Sequence, residues 1–147
     1  MQTPLILLMA LPRSIRELAE LLEVDLTELV ISCYYCTRFL TYPDRVLFAH
    51  ADLGLHFKDG IFYACCQPCT KSVARLDFLL HYNHFVSVDQ ACQIFRTTVH
   101  NLPLRCWSCL RLLNAVEKSD LACRSGDIAI IRGECRTKCT LCLLGIP

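Results

Sequence analysis

Apolar residues recur at helical spacing near the start of the chain. Over residues 13–31 they fall at i, i+3 and i+4, and Ser14 with Glu17 forms an S-x-x-E capping box. This pattern predicts an amphipathic helix that packs one face on the rest of the fold. A second short helix is expected to begin at Asp25, because Glu28 follows it at capping-box spacing.

The same periodicity returns in the middle of the chain. Residues 70–82 carry apolar side chains at helical spacing, and Ser87 with Gln90 indicates the start of another helix that runs to about Arg96. Neither stretch is rich in glycine or serine. We therefore expect an ordered connection rather than a flexible linker.

Short apolar runs between these stretches predict strands. They lie at 46–48, 53–55 and 61–63. Asp59 and Gly60 stand directly before the third run, and an Asp-Gly pair favours the two-residue turn of a β-hairpin.

Cysteines impose a second pattern. Two frames share the spacing C-x₂-C-x₂₉-C-x₂-C and are separated by 36 residues. Two thiolates separated by two residues can reach one metal ion from a tight turn, and two such pairs complete the tetrahedral shell that Zn²⁺ prefers. We therefore predict two structural zinc ions, with the following ligands: Cys33, Cys36, Cys66 and Cys69 for one, and Cys106, Cys109, Cys139 and Cys142 for the other.

A staple of metal or disulfide is expected, and the sorting of the cysteines into close pairs and the lack of a signal peptide favour zinc over a disulfide framework in a secreted protein. Twelve of the 147 residues are cysteine, and a 37-residue frame is too small for a hydrophobic core to stabilise alone. The apolar run Leu5–Leu11 lacks the charged region and cleavage site of a signal peptide, and it is too short to span a membrane. We expect a reducing compartment and no membrane association.

The two frames also match outside their cysteines. At a fixed offset of 73 residues, arginine recurs at 38 and 111, leucine at 40 and 113, and glycine at 60 and 133. This predicts an α+β fold of two small duplicated Cys₄ zinc-binding domains, each closing its own site, joined by a linker helix and preceded by an N-terminal helix. The expected segments are an N-terminal arm and helix (1–32), a first zinc domain (33–69), a linker helix region (70–105), a second zinc domain (106–142) and a C-terminal tail (143–147).

The remaining cysteines and the five histidines indicate no catalytic chemistry. Cys65, Cys92, Cys123 and Cys135 are expected to be small buried apolar residues, and the histidines lack zinc-finger spacing. Deaminase, zinc-protease, P-loop, nucleophile-elbow and Rossmann motifs are absent from the sequence. Since a catalytic zinc keeps one position open for water, two filled shells predict a protein that is not an enzyme.

Charge keeps a different class of function open. The net charge is +1, distributed unevenly, with −3 over residues 1–32 and +2 over the second cysteine frame. The basic tilt of residues 105–138, with Trp107 available for stacking, makes a zinc-dependent DNA-binding transcription regulator the alternative function, with weak nucleic-acid binding. A RING-like ubiquitin ligase is disfavoured, because the duplicated frames are sequential rather than interleaved.

The whole pattern closely resembles the papillomavirus early transforming proteins, a family of two-zinc-finger early oncoproteins. The resemblance rests on the two cysteine frames, their 36-residue connection and a Leu-Pro-x-Ser-Ile-Arg-Glu-Leu-Ala stretch that begins at Leu11. It runs from Leu11 to Cys142. Ala64-Cys65-Cys66 and Leu104-Arg105-Cys106 are similar to the cutaneous-type members.

This resemblance implies an adaptor. In that family the zinc domains and the linker helix enclose a groove that captures an acidic Leu-x-x-Leu-Leu (LxxLL) helix of a host protein. Some members take the helix from a HECT-type ubiquitin ligase, and cutaneous-type members often take it from Mastermind-like transcription coactivators. The implied outcome, in host cytoplasm and host nucleus, is altered protein degradation, transcription, apoptosis and innate immunity that favours viral replication and cell transformation.

The resemblance also assigns residues by position. Those implied to contact the peptide are Tyr35, Leu53, Cys65, Val73, Arg105 and Arg13. The two arginines would face the acidic groups of the peptide. Glu134 stands where the family often has a second basic residue, which implies a weaker charge clamp and a changed peptide preference.

Two further expectations concern partners. The final residues Leu144-Gly145-Ile146-Pro147 lack the Ser/Thr-x-hydrophobic ending through which some family members bind PDZ domains, so no PDZ partner is expected. The sequence leaves open whether the protein forms a homodimer.

Overall fold

A computed structural model describes residues 11–145 of the chain. The apolar run predicted at Leu5–Leu11 therefore lies outside the described residues except for Leu11, and so do the last two residues of the tail. The chain divides into two compact units, Met1–Cys69 and Thr70–Pro147. Among the described residues, no helix has both the length and the apolar character needed to cross a membrane.

The first unit combines two helices with a three-stranded sheet. The sheet has the order β1-β3-β2, with β1 parallel to β3 and β2 antiparallel to it. Its core is formed by the apolar face of the first helix, including Ile15 and Leu18, and by Phe48 and the buried ends of the strands. The elements are α1 (Ile15–Leu22), β1 (Ser32–Cys33), α2 (Tyr42–His50), β2 (His56–Lys58) and β3 (Ile61–Ala64).

The second unit is built on a four-stranded sheet in the order β4-β6-β7-β5. Leu102, Leu104, Leu121 and Ile128 are fully buried in its core. The elements that follow β3 along the chain are α3 (Gln67–His81), β4 (Tyr82–Ser87), α4 (Val88–Phe95), β5 (Leu104–Cys106), α5 (Ala115–Cys123), β6 (Asp127–Ile131), β7 (Glu134–Thr137) and α6 (Thr140–Leu143).

The helix predicted over 13–31 starts where expected but ends early. The Ser14 hydroxyl accepts a hydrogen bond from the Glu17 N–H, which confirms the cap, although the Glu17 carboxylate accepts from Arg13 N–H at 2.7 Å rather than from Ser14. The helix stops at Glu23, whose φ of 57° is left-handed. The second short helix predicted at Asp25 is wrong, because the backbone makes a single turn there that is not continued.

Two of the three predicted strands in the first unit are also wrong. Residues 46–48 belong to α2, because Thr41 and Asp44 form a capping box and Pro43 occupies the first turn of the helix. Residues 53–55 form a loop, in which Leu55 N–H donates to the Arg13 carbonyl at 2.9 Å. The strand at 61–63 and the Asp59-Gly60 hairpin are confirmed, with φ of 53° and 80° at the two turn residues.

The predicted linker contains an element that periodicity did not reveal. The helix over 70–82 is confirmed as the main part of α3, and Ser87 with Gln90 forms the predicted capping box of α4. Between them, Tyr82–Ser87 forms β4, which within residues 11–145 is an edge strand of the second sheet that pairs with β6 alone. Five of its six residues are exposed, so they lack the apolar alternation that marks a half-buried strand.

The predicted duplication is larger than the cysteine frames. At the offset of 73 residues α1 corresponds to α4, α2 to α5 and β3 to β7, with identical lengths. Left-handed backbone recurs at the same offset, at 37 and 110, 52 and 125, 59 and 132, and 60 and 133. The structure therefore confirms an α+β fold of two duplicated Cys₄ modules, and each copy begins with its own capped helix.

Candidate metal centres

The first cysteine group gathers where β1, β3 and α3 meet in the first unit. Cys33 ends β1, and Thr37, in left-handed backbone, donates its N–H to the Cys33 carbonyl at 3.0 Å and closes the knuckle that carries Cys36. Cys66 follows β3, and Cys69 lies in the first turn of α3.

The second group repeats this arrangement within the second unit. Cys106 ends β5, Leu110 closes the knuckle with a left-handed φ of 63°, Cys139 caps the start of α6, and Cys142 lies within it. The Leu110 N–H donates to the Cys106 carbonyl at 2.9 Å, as the Thr37 N–H does to Cys33.

Both groups have dimensions that fit zinc. The four sulfur atoms of each group lie within 4.8 Å of one another. The Cys36–Cys66 and Cys109–Cys139 sulfur pairs are each 3.8 Å apart. A tetrahedral ion with Zn–S bonds of about 2.3 Å separates its sulfurs by about 3.8 Å. All twelve cysteines are free thiols, so each group can hold one zinc ion as a closed Cys₄ shell.

The thiols within each group differ in acidity. Burial raises the pKa of Cys33, but backbone N–H groups of Cys36, Cys66 and Tyr35 outweigh it and lower that pKa to about 6. A hydrogen bond with the Cys109 thiol lowers the pKa of Cys106 to about 4, against the opposing effect of burial. Burial and hydrogen bonds to neighbouring thiols raise the pKa of Cys69. Zinc binding must therefore release protons from the thiols with raised pKa.

A buried carboxylate ties each metal group to the helix that precedes it in the repeat. Asp44 accepts hydrogen bonds from Thr41 N–H and from Gln67 N–H, the residue after Cys66. Glu117 accepts from Asn114 N–H at 3.0 Å and from Thr140 N–H at 2.7 Å. Burial raises the pKa of both carboxyls, but these backbone donors outweigh it and keep both pKa values low. Each carboxylate thus caps one helix and fixes the start of the segment after a metal ligand.

An arginine beside each group adds positive charge. Arg111 forms a 2.7 Å ion pair with Glu117. Burial lowers the pKa of Arg111, but the Glu117 carboxylate and the Cys139 sulfur outweigh burial and raise that pKa. In the first unit, hydrogen bonding and charge interaction with Cys66 raise the pKa of the exposed Arg38. Each metal group thus has a guanidinium next to one of its sulfur ligands.

Four cysteines lie outside the metal groups. Cys65 and Cys135 are buried as predicted, and burial raises the pKa of Cys135 to about 11. Cys92 is half-buried. The prediction is wrong for Cys123, which is exposed because it lies on the opposite face of α5 from the buried Glu117 and Leu121. Within residues 11–145, no histidine joins either sulfur group.

Four residues of the predicted peptide site lie in the first unit. Tyr35 is 50% exposed and contacts Tyr34 edge-on, with ring centroids 5.1 Å apart. Leu53 is half-buried against the core, whereas Cys65 is only 7% exposed and offers little surface to a ligand. Arg13 is exposed, just before the cap of α1.

The other two predicted residues lie in the second unit. Val73 is half-buried on α3. Arg105 is half-buried in β5, and its guanidinium donates to the Leu110 carbonyl at 2.7 Å, which fixes the side chain beside the knuckle. Their contact with a peptide stays a prediction, as it does for the residues of the first unit.

A charge network in the second unit was not anticipated from the sequence. Asp77 on α3 pairs with Arg132 at 3.3 Å and with Arg136 at 3.2 Å, and Arg136 also contacts Glu134 at 3.4 Å. Arg136 is 5% exposed, an uncommon burial for arginine. Sequence spacing offers no indication of this network, because Asp77 and Arg136 are 59 residues apart.

Comparison with known proteins places the chain among papillomavirus proteins. A family model described as Early Protein (E6) matches residues 33–142, which contain both metal groups. Protein E6 of Human papillomavirus type 1 is 31% identical over 137 residues, which cover 92% of this chain and 98% of that protein. Protein E6 of Human papillomavirus 20 is 33% identical over 132 residues, which cover 90% of this chain and 80% of that protein.

A solved structure was also matched. The solution structure of the C-terminal zinc-binding domain of HPV51 oncoprotein E6 aligns with 43% of this chain and 86% of its own, with 23% identity and a TM-score of 0.38. The matched relatives include cutaneous virus types, as the sequence pattern suggested. From the family model and these relatives, the chain belongs to the Early Protein (E6) family of papillomaviruses.

Proposed function

We propose that this chain is a non-catalytic viral adaptor that captures acidic LxxLL helices of host proteins. The partners are a HECT-type ubiquitin ligase, Mastermind-like coactivators, or both. By redirecting or blocking them in the host cytoplasm and nucleus, the protein alters host degradation, transcription, apoptosis and innate immunity. The observation that carries the proposal is membership of the E6 family, because helix capture is what the resemblance to that family implies.

The first unit supports this proposal with apolar and basic surface. An LxxLL helix presents leucines at i, i+3 and i+4, which require apolar contacts. The ring of Tyr35 is exposed and Leu53 is half-buried, so both can be covered by a ligand without unfolding the core. Arg13 is exposed and can pair with an acidic flank of the helix.

In the second unit, support comes from Val73 and Arg105. The hydrogen bond to Leu110 holds the Arg105 guanidinium in one orientation, which lowers the entropy lost when it pairs with a carboxylate. Glu134 occupies the position where the family often has a second basic residue. Glu134 contacts Arg136, and Asp77 pairs with Arg132 and Arg136. We therefore expect that, within the second unit, an acidic residue of the helix pairs with Arg105 rather than with a second basic residue.

Ion pairs formed by four arginines of the second unit weigh against the DNA-binding alternative. Arg111, Arg124, Arg132 and Arg136 each form an ion pair with a carboxylate of the second unit. A cation held by a carboxylate attracts a phosphate less strongly than an unpaired one, which weakens the case for phosphate contacts by these four arginines. Trp107 also packs edge-on against Phe78 and Phe85, with ring centroids 5.5 and 5.8 Å away, which restricts stacking on a base.

Binding of LxxLL peptides to purified, zinc-loaded protein tests the proposal directly. We expect an acidic LxxLL peptide to bind by fluorescence polarisation, and Leu53→Glu and Arg105→Ala each to weaken it by at least about tenfold. Affinity purification from keratinocytes with the same variants would then identify the host partner. Arg96→Ala, at another exposed arginine, should bind like the wild type.

Zinc content separates loss of binding from loss of folding. Both variants should retain two zinc ions per chain, because neither residue is a metal ligand. If folded Leu53→Glu and Arg105→Ala proteins kept the same peptide affinity and the same keratinocyte partners, the adaptor proposal would be abandoned. Strong DNA binding with a steep salt dependence would favour the alternative instead.

A further inference from the structure

The second unit contains an open apolar cavity of about 470 Å³ whose lining includes none of the predicted LxxLL contacts. Four of its six lining residues come from α3, and two come from the knuckle that carries Cys109. They are Lys71, Arg75, Phe78, Leu79, Trp107 and Ser108. We refer to this cavity as the Trp107 pocket.

The Trp107 pocket lies on a different face of α3 from Val73. An α-helix turns by about 100° per residue, so positions 71, 75, 78 and 79 fall within one sector of about 100°. Val73 lies roughly opposite the middle of that sector by the same geometry. A ligand in this pocket would therefore leave the proposed LxxLL contact at Val73 uncovered.

Aromatic packing fixes the shape of the pocket. Trp107 meets Phe78 at 5.5 Å and Phe85 at 5.8 Å between ring centroids, with an interplanar angle of 68° in each case. Tyr82 also stacks on Phe78 at 5.2 Å. Edge-to-face contacts of this kind hold the rings in place, so the apolar wall exists before a ligand arrives. Leu79, which is 68% exposed, extends that wall to the surface.

Two cations, Lys71 and Arg75, border the apolar wall. Neither Lys71 nor Arg75 forms an ion pair with another described residue, in contrast to the arginines held by Asp77 on the same helix. They are one helical turn apart, or about 6 Å along the axis. A matching ligand offers a bulky apolar group for the pocket and two negative charges about 6 Å apart.

We propose that the Trp107 pocket is a second peptide-binding site, which takes a single bulky apolar side chain flanked by two acidic residues. Carboxylates at i and i+4 of a helix, or at i and i+2 of a strand, have about the required spacing. The apolar anchor packs on the wall formed by Phe78, Leu79 and Trp107, and the carboxylates pair with Lys71 and Arg75. Such a site lets the protein hold an acidic segment independently of an LxxLL helix.

The test uses zinc-loaded, ¹⁵N-labelled full-length protein and a panel of short blocked peptides. Each peptide carries one phenylalanine, leucine, isoleucine or methionine and four flanking glutamates, so it has no LxxLL motif. Trp107 is the only tryptophan in the chain, and its indole N–H therefore gives one assignable NMR signal. We expect at least one peptide to shift that signal in a saturable way, and the matching peptide with alanine at the anchor to leave it unchanged.

Charge reversal supplies the second readout. The double variant Lys71→Glu/Arg75→Glu should weaken the best peptide by at least about tenfold, because two exposed ion pairs become repulsive. Arg16→Glu/Arg96→Glu, which changes the net charge equally at exposed sites outside the pocket, should bind almost as tightly as the wild type. Since Lys71 and Arg75 are not predicted LxxLL contacts, their reversal should leave LxxLL peptide binding largely intact.

Three results would overturn the proposal. One is that no peptide shifts the Trp107 indole signal, and another is that the Lys71→Glu/Arg75→Glu protein binds as tightly as the wild type. The third is that decanoate or an oligothymidylate binds the pocket more tightly than every peptide, which would reassign it to a lipid or a nucleic acid. Failure of LxxLL binding alone would contradict the adaptor proposal and leave this site standing.

Discussion

At the scale of single residues, Asp44 and Glu117 connect helix formation to the metal groups. Each carboxylate accepts from the N-cap backbone of its own helix and from the first residue after a buried cysteine ligand. Burial of a carboxylate costs free energy unless several donors satisfy it. Here backbone donors satisfy both oxygens, so loss of the charge disturbs a helix and a zinc ligand segment together.

We predict that Glu117→Gln destabilises the second unit by about 2 kcal/mol, because the amide loses charge-assisted bonds to Thr140 and Arg111. Urea unfolding followed by Trp107 fluorescence measures the change, since that tryptophan lies in the second unit. Asp120→Asn is the matched control. It breaks only an exposed ion pair with Arg124 and should cost less than about 0.5 kcal/mol. Equal effects of the two changes would contradict the double role of Glu117.

Cysteine spacing predicts the metal ligands because four thiolates must reach one point, and few other constraints produce the same spacing twice. The carboxylates could not be identified from the sequence as contacts of the ligand segments. Glu117 lies 23 residues from Thr140, and only the folded sheet brings them together. The exposure of Cys123 was likewise invisible, since burial depends on which helix face meets the core.

At the scale of secondary structure, most local signals with a defined mechanism were reliable, although the capping-box spacing at Asp25 did not produce a helix. The capping box at Ser87 and the hairpin turn at Asp59-Gly60 are both confirmed. Such signals can be recognised in a sequence because each rests on a short-range hydrogen bond or a required backbone angle. Apolar runs were less informative. The run at 46–48 lies in α2, where its residues serve a helical face, and β4 has almost no buried residues to mark it.

The hairpin turn gives a prediction for glycine. Gly60 has a φ of 80° with open space around it, so Gly60→Ala should cost about 1–2 kcal/mol through backbone strain alone. The urea midpoint of the first unit, followed by amide NMR signals of β3, measures this loss. Gly54→Ala provides the comparison, because an added Cβ would lie 3.9 Å from the nearest atom and no left-handed backbone is required. The strain explanation would fail if Gly54→Ala were the more damaging change.

At the scale of the whole molecule, the chain consists of two copies of one zinc module. Every ligand of the first metal group belongs to Met1–Cys69, and every ligand of the second belongs to Thr70–Pro147. The duplication was predictable from residue identities at one offset. Its true extent was not, because α1 and α4 share capping and length but few residue types.

Zinc content should follow this division. We predict that Cys139→Ser and Cys66→Ser each lower the zinc content from two ions per chain to one, measured by inductively coupled plasma mass spectrometry. Cys139→Ser should also red-shift Trp107 fluorescence as the second unit unfolds, whereas Cys66→Ser should not. Cys123→Ser, at an exposed cysteine outside both groups, should keep two ions. Loss of both ions from either ligand variant would show that the sites are not separate.

The repeat has a consequence for descent. One copy runs from Ser14 to Thr70 and the other from Ser87 to Leu143. A single module of about 57 residues that folds around one zinc ion would therefore suffice as the ancestral protein. A tandem fusion of two such modules would leave residues 71–86 as the stretch that joins the copies. That joining stretch supplies Lys71, Arg75, Phe78 and Leu79 to the Trp107 pocket. Selection could therefore remodel this pocket in descendant viruses while both inherited metal sites stayed as they were.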